Sequence, residues 1–346
     1  MSTSPQQDEP DRGGLERQHG RQSRRSRRTK IGASAALAIG LVALALILVT
    51  RPVEKEATPG ENAPIGTRVE AAIPGVPKVD YVIDLDTGVM TPLPRAILRS
   101  AAKPGQSGQV GPGSYAASPY GSLLAYVGIG DEGSLQIFTA GIDGTGVRQV
   151  THDPRGATTP AWSPDGTKIA YKGSGGLFVL DVARGESTPI SDAVRDGPWA
   201  QPQFTPDGSS LLYTSGTGRA GDSVLRTVRI DGGKSTVLMG PDEGMGHAAN
   251  GSLSPDGSLV TMMGHEINGP GALRFVSNVD GTERRHIPEG GSSPAGTWSP
   301  DGGRIVCSDY MGKNILVVDV ATGNASRIAK GRSAIWLDGH RLLVEV

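Results

Sequence analysis

From Pro160 to Ile190 the chain reads PAWSPDGTKIAYKGSGGLFVLDVARGESTPI. An apolar lead-in reaches Trp162, a polar Ser163-Pro164-Asp165-Gly166 cluster interrupts it, alternation follows over Lys168 to Tyr171, and an apolar run from Leu177 to Val182 returns after Gly185. Period-two alternation bounded by turn residues predicts four short strands. Pro164 presets φ near −65° where the turn begins, and Gly166 supplies the positive φ that a tight hairpin requires. Two such hairpins in series make one four-stranded unit.

The pattern recurs. The first turn returns as Thr205-Pro206-Asp207-Gly208, Ser254-Pro255-Asp256-Gly257 and Ser299-Pro300-Asp301-Gly302, with degenerate copies at Ser118-Pro119-Tyr120-Gly121 and Trp336-Leu337-Asp338-Gly339. From Pro119 to Pro300 is 181 residues in four steps, about 45 each, which is the pitch of a four-stranded propeller blade. A second turn trails each first one, at Asp143-Gly144, Arg184-Gly185, Asp231-Gly232, Asp280-Gly281 and Thr322-Gly323. Two turn signals in fixed phase predict an all-β fold, a β-propeller.

Five complete blades run approximately from Gly113 to Val150, Thr158 to Ile190, Pro202 to Leu238, Gly251 to Ile287 and Ala295 to Ile328. Asp80 to Val89 has the pattern of a second hairpin without a first, and Ala334 to Val344 that of a first without a second. Joined, they give a composite blade that removes the open edges of the ring. The fold expected is a six-bladed β-propeller closed by a composite N/C-terminal blade.

Trp162-Ser163-Pro164-Asp165-Gly166 with Lys168-Ile169-Ala170-Tyr171, and Trp298-Ser299-Pro300-Asp301-Gly302 with Arg304-Ile305-Val306, resemble the WSPDG-type, WD40-like repeat of TolB-like β-propellers. The resemblance covers about residues 79–346. It implies the fold and says little about chemistry, since propellers of this kind host binding proteins and enzyme accessory domains alike. TolB-like translocation proteins carry an α/β domain before the propeller and a cleaved signal. Here a different N-terminal region occupies that place, so a role in import or outer-membrane maintenance is not implied.

The apolar stretch that does not alternate is Ile31 to Val49, 19 residues without a charge. As a helix it would span about 28 Å, close to the hydrocarbon thickness of a bilayer. Residues 1–30 before it are polar and rich in Arg, without apolar periodicity, and are expected to be a disordered cytoplasmic tail. The length of the run and the Thr50-Arg51-Pro52 that follows favour an uncleaved transmembrane signal anchor over a cleaved signal peptide. Residues 50–78, rich in Pro, Glu, Ala and Gly, read as a linker to the propeller at 79–346. The expected arrangement is a single-pass protein of the cell membrane with its N-terminus cytoplasmic and its propeller extracytoplasmic. A net charge of −1 gives no general attraction for nucleic acid.

In a propeller the A-to-B and C-to-D turns share one face, here the uniform SPDG and DG turns. The B-to-C and D-to-A loops share the other, and here they vary, which makes that face the expected binding face. It gathers Asp153, Trp199, Gln201, Glu243, His247, Asn250 and Ser293 as ligand-binding candidates, with Trp199 and His247 nearest the central funnel. Arg155 and the long Arg95 to Pro112 segment belong to it as well.

Catalytic motifs are sparse. There is no G-x-S-x-G elbow and no H-E-x-x-H, and Asp84-Leu85-Asp86-Thr87-Gly88 lacks the distal Glu of a calcium loop and reads as a C-to-D turn. The single Cys307 replaces the Tyr of an equivalent strand and reads as a buried apolar residue. Trp162, Trp298 and Trp336 read as packing between blades. No cofactor or metal site is expected. Two functions remain open: a membrane-anchored binding or scaffold module for a protein, peptide or envelope polymer, or a propeller-type hydrolase or lyase using funnel residues such as Asp153, Glu243 and His247 for acid and base work.

Overall fold

The computed structural model describes residues 79–346 except 101–114, 192–199, 217–222, 241–244, 267–272, 288–295 and 310–312. The tail, the apolar segment at 31–49 and the linker lie outside the described residues. Among the described residues no helix is long and apolar enough to cross a membrane.

Six four-stranded antiparallel sheets form the domain. Blades 1 to 5 occupy residues 115–149, 158–191, 203–239, 245–287 and 297–330, and the sixth joins 81–92 to 333–345. In this last sheet the order is Met90–Pro92, Tyr81–Asp84, Arg341–Glu345, Ser333–Trp336. Tyr81 faces Val344, Val82 faces Leu343 and Ile83 faces Leu342, so the two half-blades of the sequence complete each other.

Each blade is covered on both sides by its neighbours, so the middle strands bury both of their faces. Ile315, Leu316, Val317 and Val318 are all buried in consecutive positions, a continuous run where a one-sided sheet would alternate. Six clusters lie at the six junctions. Ile137 and Leu135 of blade 1 pack on Ile169 and Tyr171 of blade 2, and Ile315 and Val306 of blade 5 pack on Ile83 and Leu342 of blade 6. Cys307 lies in such a cluster, and burial pushes its thiol pKa up.

The SPDG turn works as read. Gly166 has φ 70°, Asp165 Oδ1 accepts the Ser163 hydroxyl at 2.6 Å and the Thr167 N–H at 2.9 Å, and Ser163 Oγ accepts the Lys168 N–H. The same bonds recur around Asp207 and Asp256. The second turn class uses Asp and Thr instead: Asp143 and Asp280 accept both the N–H and the hydroxyl of Thr145 and Thr282.

Two details differ from the sequence reading. The loop after Pro94 begins with a short helix, Arg95–Ser100, which buries Ile97 beside Leu93, Tyr126 and Leu343. His247 and Asn250 are not in a loop. They lie in the strand Met245–Leu253, paired with Leu259–Glu266 and interrupted by irregularities at 245/247 and 249/252. Gly, Asn and Met in this stretch hide the strand from an alternation rule, and Asn250 takes φ 51° at the irregularity.

Candidate functional site

The first strand of every blade lines a central cavity of about 250 Å³. At the SPDG face it meets a wider depression of about 390 Å³ whose rim carries Pro119, Pro164, Pro206, Pro255 and Pro300. These prolines interlock with their neighbours, since a Cβ placed on Gly257 would stand 3.4 Å from Pro206, and one on Gly302 3.5 Å from Pro255. The uniform face is therefore shaped around an opening, a feature that the repetition of its turns did not suggest.

The residue before each Trp-equivalent position faces this channel: Ala116, Ala161, Gln203, Ser252, Thr297 and Ile335. Aligning the turns would have found them, because they hold one register position in every blade. Gln203 uses its Oε1 to accept the N–H of Leu253 at 3.0 Å and so ties blade 3 to blade 4. The three indoles also line the channel, with their N–H groups used between blades. Trp162 donates to the Ala116 carbonyl at 3.2 Å, Trp298 to Ser252 at 2.9 Å and Trp336 to Thr297 at 3.2 Å.

Two residues with left-handed backbone lie at or beside the lining. Thr159 has φ 52° and Asn250 has φ 51°, and left-handed backbone is costly for a β-branched residue. The Thr159 hydroxyl is bonded to the carbonyls of Thr158 and Ala200. Asn250 donates its backbone N–H to Thr214 Oγ1 at 2.9 Å, while its buried side-chain Oδ1 has no partner among the described residues.

The structure brings some of the predicted residues together and separates others. Gln201 lines the channel, and Asn250 sits immediately before the lining residue Gly251. His247 lies further back on the same strand as Asn250, opposite His265. Asp153 acts as a loop clamp: Oδ2 accepts the N–H and hydroxyl of Ser174 at 2.8 and 2.9 Å, and Oδ1 accepts the N–H of Arg155 at 2.9 Å. Trp199, Glu243 and Ser293 lie outside the described residues.

Electrostatically the channel is quiet. Among the described lining residues the ionisable side chain is Tyr115, whose hydroxyl donates to Asp80 Oδ2 at 2.8 Å and whose pKa burial pushes up. What remains is hydroxyl, carboxamide, indole and backbone. Such a lining can pair with amides and pack on apolar groups, and it offers little for moving protons.

Residues 101–290 match the family described as the TolB beta propeller domain. A TolB homologue of Chlorobium luteolum is 28% identical over 157 residues, 44% of this chain and 34% of its own length. The Tol-Pal system protein TolB of Methylococcus capsulatus is 35% identical over 89 residues, 24% of this chain and 20% of its own. The chain thus spans about a third or less of the curated relatives it matches. Among solved structures, TolB from Acinetobacter baumannii superposes with a TM-score of 0.53 at 17% identity, over 67% of this chain and 54% of that one. At that identity the likeness speaks to the fold.

Proposed function

This chain belongs to the TolB β-propeller domain family, and on that premise we propose that it is a binding or scaffold module of the cell envelope, held at the membrane by residues 31–49. The partner is a protein or peptide, engaged through the channel and the variable face around it. The observation that carries this is the channel lining, uncharged among its described residues and carrying the carboxamides of Gln201 and Gln203. An extended segment presents N–H and C=O groups at intervals of about 3.3 Å, and carboxamides can answer both. Strain held at Thr159, a lining residue with φ 52°, fits a preformed recognition surface.

Acid and base chemistry at Asp153 finds no support, because both of its oxygens accept hydrogen bonds that fix the loop. The relatives' names concern proteins of which this chain matches only a part, so what is proposed to be shared is protein binding by the propeller, with the identity of the partner its own.

The test is affinity capture from envelope extract by the full chain and by a Gln201→Ala variant. A protein held by the first and lost by the second, at unchanged melting temperature, supports the reading. Equal capture by both places the partner elsewhere and removes the channel from the proposal. Protease added to spheroplasts should release the propeller through residues 50–78, and full protection would remove the extracytoplasmic placement.

A further inference from the structure

Away from the channel, a groove of about 530 Å³ lies between the outer hairpin of blade 6 and the second turn of blade 1. Val82, Val89, Pro92, Pro94 and Ile142 make its walls apolar, and Asp84 and Asp143 stand among them. We propose that this groove docks a segment of a partner protein in which an apolar side chain lies beside Arg or Lys.

The fold does not account for an apolar residue at position 89. Blades 2, 5 and 6 share one turn, in which the N–H of Gly185, Gly323 or Gly88 donates to the carbonyl of Asp181, Asp319 or Asp84. The residue after the glycine is Glu186 in blade 2, Asn324 in blade 5 and Val89 in blade 6. This turn therefore closes with a polar residue there, yet the chain places a valine that is 58% exposed. A local rule broken without a packing gain is expected at functional sites, and exposed apolar surface that gathers in one place marks an interaction site. The groove also falls within the range of ordinary ligand pockets, about 300–1,000 Å³.

Charge selects the occupant. Thr87 gives its N–H and hydroxyl to Asp84 Oδ1 at 2.8 and 2.7 Å, and Thr145 gives both to Asp143 Oδ1 at 3.0 and 2.7 Å. These bonds, the threonine hydroxyls first among them, hold both carboxyls below the usual range, so both are ionised at neutral pH. Among the described residues, no donor reaches the Oδ2 of either. The cation on the wall, Arg341, is already matched, with Nε and Nη2 on Asp338 Oδ2 at 2.8 and 2.7 Å. The groove thus offers two carboxylate oxygens to an incoming guanidinium or ammonium, and the same charges disfavour a phosphate-bearing surface.

The walls are set before anything binds. Gly144, with φ 83°, lies so close to Pro94 that a Cβ on it would stand 2.5 Å from that of the proline. Ile97, in the short helix that follows, is fully buried and anchors this corner. A preformed groove loses little conformational freedom on binding.

This surface adds to the binding reading and does not depend on the channel. Capture that depends on Gln201 should be unchanged in a Val89→Glu variant, so the two fail independently. The experiment is fluorescence anisotropy of a labelled Gly-Lys-Leu-Arg-Leu-Gly peptide titrated with the full chain. Saturable binding is expected, weakened at least about tenfold by Val89→Glu, a change at an exposed position to the residue type that blade 2 carries there. The paired change Asp84→Asn with Asp143→Asn should weaken it as much, while the amide oxygens still hold the turns. A Gly-Glu-Leu-Glu-Leu-Gly peptide should not bind, and Gly-Lys-Ser-Arg-Ser-Gly should bind at least about tenfold more weakly. Absence of saturable binding, undiminished binding by the Val89→Glu protein, or equal binding of the acidic peptide overturns the proposal. So does sedimentation that finds a dimer of the chain dissociated by Val89→Glu, which gives the groove to a second copy.

Discussion

The carboxylate of Asp80 accepts a hydrogen bond from the backbone N–H of Val346, 3.0 Å away and 266 positions later in the chain. The other oxygen of the same carboxylate accepts the hydroxyl of Tyr115 in blade 1, and the Asp80 carbonyl accepts the N–H of Leu93. One residue therefore ties the last residue of the chain, the first strand of blade 1 and the outer strand of blade 6. Around it Tyr81 donates its hydroxyl to the Lys330 carbonyl at 3.0 Å, with its pKa raised to about 12 by burial.

Closure should consequently govern the stability of the whole ring. Replacing Asp80 with Ala leaves the buried Tyr115 hydroxyl without its acceptor and should cost about 1 to 3 kcal/mol. Deleting residues 341–346 removes the buried Leu342, Leu343 and Val344 and should cost several kcal/mol, more than any single-site change. Urea unfolding of the full chain measures both. Truncation that leaves the midpoint unmoved would show that the composite blade does not hold the ring.

The turns make a prediction about acid. Asp165, Asp207 and Asp256 have pKa values lowered to about 2, chiefly by the hydroxyls of Ser163, Thr205 and Ser254, against about 3.9 for an unfolded Asp. A depressed folded pKa contributes stability that is present above the unfolded value and is lost as pH falls through the folded one. The unfolding midpoint should therefore fall between about pH 4 and pH 2. A variant with Asn at all three positions should begin less stable and lose less over that interval. An identical pH slope for the two proteins would assign the acid sensitivity to other groups.

The sequence showed the fold because the turns that repeat, such as Ser163 to Gly166 and Asp280 to Gly281, carry their own chemistry: a fixed φ, a positive φ and a carboxylate that holds amides. Composite closure was legible for a similar reason, since the two half-patterns at 80–89 and 334–344 had no local partners. The site was less legible. His247 and Asn250 sit in a strand whose Gly and Asn residues read as loop, and the opening on the SPDG face depends on how the prolines of successive blades meet, which no single repeat contains. Asp153 was read as a potential acid because its residue type allows that, while its use as a clamp on Ser174 depends on a hairpin tip 21 positions away.

The indoles separate a packing role from a ligand role. Trp298 is buried and donates to the carbonyl of Ser252 in the preceding blade, so Trp298→Phe keeps an aromatic ring in the junction and removes only the N–H and part of the ring volume. A buried carbonyl that loses its donor and a small cavity together should cost about 2 kcal/mol. Trp336→Phe should cost a similar amount for its bond to Thr297, with an added loss because Arg304 lies 4.8 Å over the Trp336 ring and cation–π attraction is weaker for Phe. If the indoles serve packing, both variants should lower the urea midpoint and still capture the partner at temperatures where they are folded. A Trp298→Phe protein as stable as the wild type, or one that is stable but captures nothing, would instead assign this ring to the ligand.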